Sequence, residues 1–168
     1  AINRTIDETY GTIVREAQES MAGGVSLSCM YITWETYQCG NVLSLIVSCG
    51  WGFDMNTHSV YLYDTATGEQ MTTAQLLETL QVEPETFLAA VRQAAAERFD
   101  GKYAGIGGDT DELVAERRAW TLSDENINLD VMTYADAAGN LYVYLPIGSI
   151  AGAASYEEPL TLDLGAAG

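Results

Sequence analysis

The chain has 168 residues, 48% of them hydrophobic, which is enough to bury the core of one domain. Twenty-four acidic residues face seven basic ones, for a formal net charge of −17. That balance repels nucleic-acid phosphates and anionic lipid headgroups and sets both aside as partners, while favouring a cationic protein or a divalent cation. No apolar run reaches the length of a membrane span, and no charged-then-apolar leader follows Ala1. An export or anchoring segment is therefore expected upstream, with membrane attachment only through a segment outside this sequence.

In chain order, Ile2, Ile6, Tyr10, Ile13, Val14 and Ala17 fall on one helical stripe, and Gly23-Gly24 supplies the stop. The period then changes to two. Strands are expected at 25–36, 42–51 and 57–64, with Cys39-Gly40-Asn41 as the first turn and 52–56 as the second. On the middle strand Leu43, Leu45, Val47, Cys49 and Trp51 share a core face. Ser44, Ser48 and Gly50 share the other, which meets either solvent or a closely packed element. Asp64 to Gly68 reads as a turn. Thr72-Thr73-Ala74-Gln75 has the form of a capping box opening a short helix. Pro84 opens a longer helix, with Phe87, Leu88, Val91, Ala94, Ala95 and Phe99 inward and Asp100-Gly101 at its end. A glycine-rich loop covers 102–110, and a shorter helix covers 111–120. Strands follow at 127–134, 141–147 and 160–164, with small residues at 150–156 where backbones approach closely. The order describes one α+β domain spanning 1–168, an antiparallel sheet with helices packed on one face.

Cys29, Cys39 and Cys49 are ten residues apart, and an odd count allows at most one internal disulfide. With His58 they invite a zinc reading, but structural zinc ligands come in close pairs and none occurs here. Two readings stay open: buried free thiols, or a Cys29–Cys49 bridge across the first hairpin that leaves Cys39 at its tip. His58 is the sole histidine. No G-x-S-x-G nucleophile elbow is present, and the 105–109 loop lacks the phosphate-cradle pattern. Asp109, Asp111 and Glu112 miss the EF-hand spacing and suit an acidic first helical turn. No catalytic residue, metal or cofactor is expected. Trp51 and Phe53 place large apolar side chains in a turn, where protruding aromatics often anchor a partner; they are the candidate binding residues.

Val42-Leu43-Ser44-Leu45, then Tyr61-Leu62-Tyr63-Asp64 running into Thr67-Gly68-Glu69 and a capped helix at Thr72, resembles the C-terminal extracytoplasmic domain of RsiV-type anti-sigma factors. The same domain type is appended to some peptidoglycan deacetylases of Gram-positive bacteria. The opening Ile2-Asn3 helix and the late Tyr142-Val143-Tyr144 strand fit that plan. The resemblance implies an α+β domain displayed outside the cytoplasmic membrane, not itself catalytic, that senses lysozyme by binding it. Many relatives carry a glycine-glycine-alanine-histidine stretch where Phe53 to His58 stands here, so no binding residue is carried over. The competing reading is a cell-wall hydrolase or deacetylase, or an accessory part of one, which would need an acidic pair or a metal in a cleft.

Overall fold

The computed structural model describes residues 2–23, 29, 31–51, 55–106, 108 and 110–165, without the side chains of Ile2, Trp51 and Met55. The N-terminal helix α1 runs through Ile2–Ile6, a π-helical stretch Asp7–Gly11, and Thr12–Ala22. Strands β1 (Tyr31–Cys39), β2 (Val42–Trp51), β3 (Met55–Asp64) and β4 (Glu69–Met71) form an antiparallel sheet in that order. Helices α2 (Thr73–Thr79), α3 (Pro84–Lys102) and α4 (Asp111–Thr121) follow. Strands β5 (Met132–Ala135), β6 (Leu141–Gly148) and β7 (Ser155–Thr161) form a second antiparallel sheet. The fold is α+β, as the order of elements implies, but with two sheets rather than one.

The layers follow from strand alternation. Val143, Leu145 and Ile147 point one way from β6, into a core with Phe87, Val91 and Phe99 of α3. Tyr142 and Tyr144 point the other way and meet Ile46, Tyr134 and Val60 between the sheets. The far face of the first sheet carries Leu45, Val47 and Cys49, with Ile6, Tyr10 and Ile13 of α1 laid over them. The molecule is thus stacked as helices α2–α4, second sheet, first sheet, α1.

Small polar residues on β2 are what let the sheets approach. Ser44 has no solvent exposure, donates to the Ala135 carbonyl and accepts from the Ala135 N–H, both at 3.3 Å. Of the two readings open for the serine and glycine face, close packing is the one realised. Gly50 sits opposite Tyr31, and a Cβ there would lie 2.3 Å from the Tyr31 ring. The ring crosses the glycine, and its hydroxyl donates to Asn56 Oδ1 at 2.9 Å, joining β1 to β3. Gly148 lets β6 close on α4 in the same manner: its N–H donates to Thr121 Oγ1 at 2.9 Å, and a Cβ would meet the Arg117 carbonyl at 2.8 Å.

Several local signals act as their chemistry requires. The Thr72–Gln75 capping box is formed, and Pro84 opens α3. Other boundaries move. Gly24 of the expected helix stop and residues 25–28 and 30 of the expected first strand lie outside the described residues, and β1 begins at Tyr31 and continues to Cys39. β4 completes the sheet where only a turn was expected, because Glu69–Met71 folds back on Leu62–Asp64. The fifth strand is shorter than 127–134: Ile127 and Val131 serve as core residues in a loop. β7 begins at Ser155, inside the small-residue stretch.

Candidate functional site

The turn between β1 and β2 decides which way the first strand's polar groups face. Gly40, at φ +55°, opens a two-residue loop closed by the pair Cys39 and Val42. In such a hairpin the closing pair exchanges both backbone bonds, and alternation repeats this at Tyr37, Glu35, Thr33 and Tyr31. The N–H and C=O groups of Ile32, Trp34, Thr36 and Gln38 therefore point away from β2. Among the described residues β1 is the edge of its sheet, so these groups face outward along the open side.

The two faces of this edge differ chemically. On one side Trp34 is 71% exposed and borders a groove of about 310 Å³ beneath α1, lined by Ile6, Tyr10, Ile32, Thr36, Leu45 and Val47. Tyr10 lines it from α1, and burial pushes its phenol well above the usual range. On the other side stand Glu35 and Tyr37. Tyr37 Oη donates to Glu35 Oε2 at 3.3 Å, and the ring stacks on Tyr134 at 5.6 Å between centroids. Tyr134 stacks in turn on Tyr142, whose hydroxyl donates to Asp136 Oδ2 at 3.2 Å. The Glu35 charge raises the Tyr37 phenol, and the bond to Asp136 raises that of Tyr142. Asp136 is held below the carboxylate range by the Asn140 side chain, against a small cost of desolvation, and by the N–H groups of Asn140 and Ala138. Both phenols thus stay neutral beside two carboxylates, a rim suited to a cation.

His58 lies between the sheets. Its ring stacks on Tyr144 with centroids 4.0 Å apart, and its Nδ1 is 3.0 Å from Glu157 Oε2. The same carboxylate oxygen accepts the His58 backbone N–H at 2.7 Å. A carboxylate that takes both bonds from one residue ties β3 to β7, and the His58 side chain keeps only 12% of its exposure. The arrangement is that of a clamp, and no group of three or more His, Cys, Asp or Glu side chains converges as a metal site among the described residues.

Trp51 ends β2 opposite Met55, at the far end of the hairpin from Gly40. Phe53 and Asp109 lie outside the described residues. Asp111 and Glu112 stand in the first turn of α4, where the helix dipole favours them. Cys29, Cys39 and Cys49 are thiols in this structure. The register places Ile32 opposite Cys49, yet Cys29 folds back into the apolar cluster that holds Cys49. Burial raises the Cys49 thiol first, and the neighbouring Cys29 adds to the effect. Sequence reasoning passed over Trp34 as one of many aromatics. No local signal marks it: β1 carries no proline and no lysine, the usual guards of an exposed strand, so its sequence reads like that of a strand paired on both sides.

No protein-family model matches the chain, and no curated protein matches it.

Proposed function

We propose that the chain is a non-catalytic extracytoplasmic binding or sensor domain of the RsiV-like type, and that its partner is a basic protein such as lysozyme. The observation that carries this reading is the disposition of charge. Six of the seven basic side chains are already paired within the molecule: Arg4 with Glu8, Arg15 with Asp7, Arg92 with Asp124, Arg98 and Lys102 with Glu158, and Arg118 with Asp100. Among the described residues most carboxylates have no such counterpart, so at −17 overall the outward field is strongly negative and steers a cationic protein toward the surface. Steering alone favours any basic protein; selection among them needs anchors, and Trp34 with its groove supplies one.

A calorimetric titration with a basic lysozyme tests this, run at low salt and at about 0.5 M salt, where exposed charges are screened beyond a few ångströms. A basic protein of similar size serves as control. The expected result is lysozyme binding that persists at high salt while the control is lost. Equal binding of both, or loss of both with salt, overturns the reading.

A further inference from the structure

The free edge of β1 indicates how a cationic partner is held. We propose that β1 takes up an extended segment of that partner as an added strand, and that the segment alternates cationic with apolar side chains. This rests on the cationic-partner reading above and adds the place and the mode.

Three observations lead there. Among the described residues the edge is open and regular: β1 pairs with β2 without a bulge from Tyr31 to Cys39, and Ile32, Trp34, Thr36 and Gln38 turn their backbone groups outward. An added strand satisfies those groups in register, which supplies sequence-independent affinity. The two faces of the edge then read alternate side chains of the incoming strand. Apolar ones fall beside Trp34 and the groove under α1. Cationic ones fall beside Glu35 and Tyr37, with Asp136 and Tyr142 one layer behind, where carboxylates and phenol faces attract lysine or arginine. Charge selects the occupant. A second copy of this chain would bring −17 against −17 and set the two Glu35 side chains near each other across the new pair. A cationic strand meets neither penalty.

The probes are two synthetic peptides of equal length and composition, one alternating lysine and valine, the other with its lysines and valines in two blocks. Both carry the same charge, so the difference between them reports strand addition alone. The alternating peptide is expected to bind about tenfold tighter or more, and to slow exchange of the amides of Ile32, Trp34, Thr36 and Gln38, measured residue by residue by NMR. Trp34→Ala removes the anchor. Thr36→Pro removes one outward N–H and no bond to β2. Each is expected to weaken the alternating peptide by about tenfold while the far-UV spectrum and melting temperature stay near wild type. If Thr36→Pro fails to fold, Trp34→Ala and the exchange measurement still decide. Equal affinity of the two peptides, with no protection at the four amides, overturns the strand addition. If lysozyme binding persists in both variants at the same time, the cationic-partner reading stands without it; if the wild type binds no cationic probe, that reading falls as well. Protection of the same amides by self-association would assign the edge to a second copy and overturn the proposed occupant.

Discussion

Glu158 projects from β7 with its carboxyl almost closed to solvent, and Arg98 and Lys102, one turn apart on α3, both reach it. Burial alone would raise this carboxyl, but hydrogen bonds from Lys102, at 2.7 Å, and from Arg98 outweigh it and hold the group below the usual glutamate range. Because the folded value is depressed, the pair stabilises the fold fully above the unfolded value of about 4.3, and the contribution is lost as pH falls through the lower folded value. Glu158→Gln should cost about 2 kcal/mol near neutral pH, less than for a fully enclosed pair because Arg98 and Lys102 regain water when released. Urea midpoints taken across the acid range should show the gap between variant and wild type closing as the medium becomes acidic; a gap independent of pH would mean the carboxylate charge contributes nothing. The need for a partner at Glu158 was not legible in the sequence, which shows only one acid among many in a stretch without basic residues.

β1 shows the same division at the scale of an element. Its alternation, its turn glycine and its β-branched and aromatic residues mark it as a strand from sequence. That it ends a sheet, and so turns a row of backbone groups outward with no partner among the described residues, depends on β2 being taken on its other side by β3. The thiols at its entrance are a second case. Cys29 lies just ahead of β1 and shares a cluster with Cys49, although the register does not place them as a cross-strand pair. Under oxidation by a small-molecule disulfide, Cys29, the more exposed of the two, is expected to attack first. The mixed disulfide then resolves on Cys49, with the reagent leaving as two thiols. The closed loop should stabilise the fold by about 3 kcal/mol in the loop-entropy account. Intact mass should show loss of two hydrogens, with Cys39 still open to alkylation. Unchanged mass, or a bridge through Cys39, would sink the assignment.

For the whole molecule, charge is the dominant variable. With most basic residues paired internally, the remaining carboxylates repel one another across the surface, and folding concentrates that repulsion. The melting temperature should therefore rise by several degrees between about 10 mM and about 150 mM sodium chloride, as the screening length shortens from roughly 30 to 8 Å. A fall over the same range would show that the surface ion pairs outweigh the general repulsion.

The residue sequence by itself determined the elements whose causes are local: the α1 stripe, the Thr72 capping box, the proline start of α3, the hairpin at Gly40 and the acidic surface. Their signals sit within a few residues of their effects, in caps, turns and periods. Tertiary structure alone decided that the strands divide into two sheets and that the serine and glycine face of β2 is among the most deeply buried surfaces. It also decided that His58 clamps to Glu157, 99 residues away, and that Trp34 rather than a core aromatic stands in the open. Burial of this kind depends on what arrives from elsewhere in the chain, and no local pattern around Ser44, His58 or Trp34 encodes the partner that covers it or the absence of one.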